Sequence, residues 1–178
     1  AQTLDTLNTE RKQEEERIWT EAREQALQLM ASRPRPGLVV YGPDWHPGII
    51  GIVASRLLEE FYCPTIILCD DGESLKGSGR SIREFDLYAG LQKCSDILSG
   101  FGGHRQAAGV RLDRDRLEDF RTAFETVCAA TLGPDPVQPT LILENELDFA
   151  TAGNQEFLRE LDLLQPFGPG NAEPVFAS

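Results

Sequence analysis

The chain has 178 residues, 40% hydrophobic and 26% charged, with 29 acidic against 17 basic side chains and a formal net charge of −12. Such a composition suits one globular domain with extensions, and no apolar run reaches the ~18 residues of a membrane span. With no charged-then-apolar leader at its start, a secreted or membrane-embedded chain is not expected. Cys63, Cys69, Cys94 and Cys128 form no C-x-x-C pair; neither a zinc cluster nor a disulfide framework is indicated, and a reducing cytoplasm is the expected location.

Residues 3–31 run without Pro or Gly, with Leu4, Leu7, Ile18, Ala22, Ala26, Leu29 and Met30 as a thin apolar stripe among charges. This predicts a long connecting helix with little to pack against. Arg33-Pro34-Arg35-Pro36-Gly37 ends it, since a residue before proline is pushed out of the helical region. Leu38–Tyr41 then reads as a buried strand, residues 43–48 as a turn, and 49–61 as a helix with Ile49, Ile50, Ile52, Val53, Leu57, Leu58 and Phe61 inward. Thr65–Cys69 is an apolar strand, 75–82 a glycine-rich strand or loop, and 85–98 an amphipathic helix. Phe101-Gly102-Gly103-His104 opens a further loop before a strand at 107–112 and a helix at 114–131. The alternation predicts an α/β fold: a mixed sheet covered by helices and preceded by the connecting helix. Beyond the Pro-rich linker 133–139, a strand at 141–143, a helix at 153–164 and an extended segment from Glu173 are expected. The domains are read as 1–36, the connecting helix; 37–133, the α/β domain; and 134–178, a linker and C-terminal segment. Both ends read as cut from a larger protein.

Charge is unevenly spread. Residues 1–37 carry six basic and seven acidic side chains, residues 38–112 seven and nine, and residues 113–178 four and thirteen. An overall acidic chain does not coat nucleic acid nonspecifically, because phosphate neutralisation by a basic face supplies most such affinity. The near-neutral middle segment still leaves room for a local groove.

Three glycine-bearing stretches carry the chemical signal. Trp45-His46-Pro47-Gly48-Ile49-Ile50-Gly51 leads from a strand into a helix whose N-terminal amides could face an anion; the spacing alone favours instead that Trp45 and His46 pack and cap while Gly48 and Gly51 let the helix approach the sheet closely. Lys76-Gly77-Ser78-Gly79-Arg80-Ser81 sets two hydroxyls and two cations among glycines. Glycine lets phosphate approach the backbone and Arg grips it with a fork, against the alternative of a twisted strand with an exposed Arg. Gly102-Gly103-His104-Arg105 crowds small residues around one His and one Arg, and a lone His is as often structural as chemical. No G-x-x-x-x-G-K-[ST], G-x-G-x-x-G or G-x-S-x-G string is present, and two histidines 58 residues apart make no metal site. The chain reads as a binder of phosphates, with no metal ligands and no cofactor of its own.

Three strings, WHPGIIGIVASRL (45–57), LKGSGRSI (75–82) and FGGHRQAAGV (101–110), resemble in order and spacing the DHH-associated domain of the DHH phosphoesterase superfamily. The flanking LNTERKQE (7–14) and LQPFGPGNAEPVF (164–176) narrow the resemblance to the RecJ family of bacterial single-strand-specific exonucleases. In that family a DHH domain, whose motif is absent here, holds two Mn2+ or Mg2+ ions that activate water against a phosphodiester. The resemblance implies a 5′-to-3′ exonuclease of single-stranded DNA used in repair and recombination, with a single-strand-binding protein and a helicase as partners of the parent protein. The DHH-associated domain grips the strand opposite the metals, so this chain alone is expected to be inactive. The preceding helix would come from the catalytic domain, and the end of the chain would lead towards an OB-fold domain.

Carried over by position, Ser78 and Arg80 would hold a substrate phosphate, the 5′-terminal one, with Lys76, Gly77, Gly79 and Ser81 completing that loop. His104, between Gly103 and Arg105, would contact the scissile phosphate or stabilise its developing charge; Gly102, Gly103 and Arg105 complete the substrate-binding set. Trp45, His46 and Gly48 are cleft candidates. Two other readings remain: the same domain in a phosphoesterase of short oligonucleotides or cyclic dinucleotides, which the two flanking strings disfavour, and a noncatalytic RNA-binding module.

Overall fold

The fold is seen in a computed structural model that describes residues 2–133, 135–141, 143–168 and 170–177. Its first element is the helix Gln2–Ala31 (α1), the length expected from an unbroken stretch without Pro or Gly. The link at 32–37 returns the chain to a buried apolar strand, Leu38–Gly42 (β1), followed by the helix Ile50–Phe61 (α2) and the strand Thr65–Asp71 (β2). β1 and β2 run parallel, Leu38 opposite Thr65, the pairing that needs a helical crossover. Gly72, at φ +70°, and Glu73 then turn the chain tightly into Ser74–Arg80 (β3), antiparallel to β2. The short helix Leu87–Gln92 (α3) is capped by the Asp86 carboxylate, which accepts from the Ala89 amide at 3.0 Å. The strands Gly100–Gly103 (β4) and Ala107–Asp113 (β5) form a hairpin, and Leu117–Leu132 (α4) closes this part. The sheet order is β1-β2-β3-β5-β4, which makes it mixed, as expected.

Alternation along the strands gives the sheet two faces with separate cores. On one, Val39, Ile66, Leu68, Leu75, Val110 and Leu112 pack against Phe85, Leu87 and Leu91 around α3 and Phe120, Phe124 and Cys128 of α4. On the other, Leu38, Val40, Ile67 and Cys69 meet Ile50, Val53, Ala54 and Leu57 of α2 and Ile18, Ala22 and Ala26 of α1. The expectation that α1 has little to pack against therefore fails for its second half, whose Ile18, Ala22 and Ala26, at i, i+4 and i+8, are fully buried. Arg23–Glu60 at 2.7 Å, Arg56–Glu16 at 2.9 Å and Arg56 stacked 4.2 Å over the Trp19 ring hold α1 to α2.

Other boundaries move for local reasons. The helix expected over 85–98 stops at Gln92, because Lys93, Cys94 and Ser95 donate to carbonyls three residues back and the chain tightens into turns. Residues 114–116 form a 3-10 turn before α4. Phe101–His104 is no loop: Gly100–Gly103 pairs with β5 as an edge strand.

Contacts divide the chain into Ala1–Gln138 and Pro139–Ser178. In the second unit, Asn145–Glu146 (β6) pairs in parallel with Phe176–Ala177 (β7), and two helices, Phe149–Ala152 (α5) and Gln155–Asp162 (α6), lie between them in sequence. The strand expected at 141–143 falls partly on Ile142, outside the described residues, and the strand lies further on. Gly153 ends α5, and Asn154 caps α6 by accepting from the Glu156 and Phe157 amides, which splits the expected 153–164 helix. No described helix is long and apolar enough to cross a membrane.

Candidate nucleic-acid interface

One face of the sheet is covered across its width, and the other is covered by α1 and α2 only over β1, β2 and the near side of β3. Beyond that line Lys76, Gly102, Gly109 and Arg111 are exposed, while Ser78 and Arg80 are half-buried. Register places these residues in rows: Ser78 opposite Gly109, and Gly109 opposite Gly102; Lys76 opposite Arg111, and Arg111 opposite Gly100. A Cβ built on Gly100 or Gly102 would meet nothing within 4 Å. The result is bare backbone bordered by cations.

At the covered edge the Arg80 guanidinium donates to the Ser78 hydroxyl at 3.1 Å and to the Gly79 carbonyl at 2.8 Å. Both side chains face the first turn of α2: a Cβ on Gly51 would lie 3.1 Å from Ser78 Oγ and 3.2 Å from Arg80 Nη2. A side chain at Gly51 would crowd both groups by a few tenths of an ångström. Among the described residues Arg80 holds no carboxylate, whereas Arg105, Arg111 and Arg114 each have one. A guanidinium without a carboxylate and a hydroxyl thus meet at the first turn of α2, where the Ile49, Ile50, Ile52 and Val53 amides already donate to the His46 and Ile49 carbonyls.

His104 stands across the sheet from Arg80. Its amide donates to the Ala107 carbonyl at 2.8 Å, closing the β4–β5 turn, and its ring is exposed with no hydrogen bond among the described residues. Ala107 pairs with Arg80, so two strand spacings, about 10 Å of backbone, separate His104 from Arg80. Gly103 makes the turn possible: φ is +146°, and a Cβ would lie 2.4 Å from the Ala107 carbonyl oxygen.

A family model described as the DHHA1 domain matches residues 35–130, more than half of the chain and all of this face. The chain belongs to the DHHA1 domain family. It is similar to the single-stranded-DNA-specific exonuclease RecJ of Bacillus subtilis, 37% identical over 98% of this chain and 22% of that protein. The protein of that name from Escherichia coli is 35% identical over 99% of this chain and 32% of its own length. Among solved structures, RecJ from Thermus thermophilus in complex with Mg2+ superposes with a TM-score of 0.82 at 32% identity, covering 98% of this chain and 26% of that one. The chain thus spans roughly a fifth to a third of the length of the curated relatives it matches.

Within the DHHA1 domain the expected site residues separate. Ser78, Arg80, Lys76, Gly102 and His104 share the open face, but Gly77 and Gly79 point the other way. A Cβ on Gly77 would meet Leu68 and Val110 at 2.5 and 2.6 Å, and one on Gly79 would meet Ile66 at 2.5 Å. Their missing side chains admit core packing, which corrects the reading that they make room for phosphate. Ser81 is 4% exposed and its hydroxyl donates to the Phe85 carbonyl at 2.9 Å. Arg105 braces the same turn, donating to the Arg83 carbonyl and lying 3.7 Å from Asp86. Trp45 is buried over Gly42 and donates to Glu21 at 2.8 Å, so it packs. His46 is exposed and its Nδ1 accepts from the Gly48 amide, shaping the entry to α2. Gly51 has the close helix–sheet approach expected of it; Gly100, Gly109 and Arg111 are absent from the expected site residues, and strand alternation from Ser78 through its partners finds all three.

Metal ligation does not fit these residues. No group of three or more His, Cys, Asp or Glu that could hold an ion occurs among the described residues. The buried Cys63 and Cys94 thiols are pushed up to about 12 and about 11 by desolvation, which keeps them protonated.

Proposed function

We propose that this chain is the strand-gripping part of a 5′-to-3′ exonuclease that digests single-stranded DNA in repair and recombination. Arg80 and Ser78 hold a phosphate of the strand, the 5′-terminal one, at the first turn of α2. His104 contacts the next phosphate to be cut and offsets charge that develops on it. Gly102 and Gly109 keep the floor between them at backbone height, while Gly103, Ser81 and Arg105 shape the turn that carries His104. Residues 1–36 lead in from a catalytic DHH domain and 134–178 lead towards an OB-fold domain. The Mn2+ or Mg2+ that activates water belongs to that catalytic domain, because the described residues here offer no ligand set; cleavage is assigned outside this chain. The names of the relatives support the substrate class, and a soluble, cytoplasmic enzyme working with a single-strand-binding protein and a helicase is the matching context.

The observation that carries this reading is the half-buried Arg80, free of any carboxylate among the described residues and 3.1 Å from Ser78. Arg80→Ala should weaken binding of 5′-phosphorylated single-stranded DNA by about 1–3 kcal/mol and leave the weaker binding of the unphosphorylated strand nearly unchanged. Calorimetric or fluorescence titration at low salt checks this. Equal losses for the two strands would place the 5′ phosphate elsewhere.

A further inference from the structure

Resting on that reading, we infer that Lys76 and Arg111 form a second phosphate subsite, which receives an inner backbone phosphate of the strand held at Ser78 and Arg80. Arg80, Ser78 and Lys76 are at alternate positions of β3 and so share one face. Each step is about 6.6 Å, which puts Lys76 about 13 Å from Arg80, about two steps of an extended nucleic-acid strand. Register sets Arg111 directly opposite Lys76. Around Lys76 and Arg111 lies a shallow depression of about 340 Å³, lined also by Gly100, Phe101, Gly102 and Gly109, and neither Ser78 nor Arg80 lines it. No side chain rises from the glycines to block it.

Lys76 makes no hydrogen bond or ion pair among the described residues, and Arg111 is 2.7 Å from Asp71. That pair is half-exposed, contributes little stability, and fixes the guanidinium beside Lys76. The adjacent Asp70 carboxylate is already held by Arg114 at 2.7 Å and by the Tyr41 hydroxyl at 2.7 Å. Asp113, exposed two positions beyond Arg111 on the same face of β5, is a second carboxylate near the pair, so Lys76 is the cation of the subsite that stands without a carboxylate among the described residues. The subsite selects strands several nucleotides long over dinucleotides, because only a strand reaches both ends of the row.

The test uses the whole 178-residue chain, 15N-labelled at low salt, titrated with a 5′-phosphorylated thymidine dinucleotide, the corresponding hexanucleotide and a hexaglutamate peptide. The dinucleotide should shift amides around Ser78 and Arg80 only, and the hexanucleotide should add Lys76, Gly100, Gly102 and Arg111. The double variant Lys76→Ala/Arg111→Ala should bind the hexanucleotide about tenfold more weakly, with the salt slope reduced by about 0.7 per cation removed. Its dinucleotide affinity should be unchanged, whereas Arg80→Ala weakens both ligands. An unaltered hexanucleotide affinity in the double variant, with Arg80→Ala still effective, overturns this inference alone. Absence of shifts with either oligonucleotide overturns the functional reading and this inference together. Equal shifts with hexaglutamate overturn the nucleic-acid occupant.

Discussion

Gly102 and Gly103 are neighbours on β4, and the backbone treats them differently. Gly103 holds φ at +146° with Ala107 and Ala108 closing on the space a Cβ would need, while Gly102 opens on nothing within 4 Å. Gly103→Ala should therefore cost about 1–3 kcal/mol of folding stability through strain. Gly102→Ala should leave the folding stability within about 0.5 kcal/mol of the parent and weaken strand binding by raising the floor. Comparing denaturation curves with binding curves for the two variants checks both; a stability loss in Gly102→Ala as large as that in Gly103→Ala would refute the contrast. The sequence showed that these glycines matter, as it did for Gly77 and Gly79. Which way each missing side chain points depends on register, and Gly77 and Gly79 turned out to face Leu68, Val110 and Ile66.

The elements were read well where periodicity is long and poorly where it is short. β1, α2, β2, β5 and α4 stand where their apolar patterns placed them, within two or three residues at either end. β4 was read as loop because three of its four residues are glycine, and glycine carries no pattern; only pairing with β5 makes it a strand. α1 was read as a helix correctly, but its packing was not, since the buried stripe is mostly alanine and looks weak by hydrophobicity. Ala22, fully buried against α2, allows a test at this scale. Ala22→Leu should lower stability by about 1–3 kcal/mol by overpacking, and Gln28→Leu on the exposed side of the same helix should change it by less than about 0.5 kcal/mol. Urea midpoints with an unchanged m-value measure this, and equal effects at the two positions would mean that α1 does not dock.

Across the whole molecule every residue of the two cores lies between Ile18 and Cys128. The described residues of Pro139–Ser178 add none to these two cores, and Phe149 and Leu163 there are 83% and 82% exposed. A chain ending at Gln138 should accordingly melt within about 2 °C of the full chain in calorimetry, and a fall of more than about 4 °C would show that the second unit supports the first. The acidic excess of residues 113–178 was legible in the sequence. That three of the seven cations of 38–112, Lys76, Arg80 and Arg111, fall on one half of one sheet face was not, because it follows from strand order, which no single segment encodes.

β3 carries two kinds of position in one short strand. Leu75, Gly77 and Gly79 are locked into the core, whereas Lys76, Ser78 and Arg80 face the open half of the sheet. Under the proposed function, stability and ligand preference are thereby written on alternate letters. A lineage, or an engineer, can exchange the ligand-facing residues one at a time to admit longer, shorter or differently charged ligands while the fold stays intact, which makes this strand a natural place for specificity to drift.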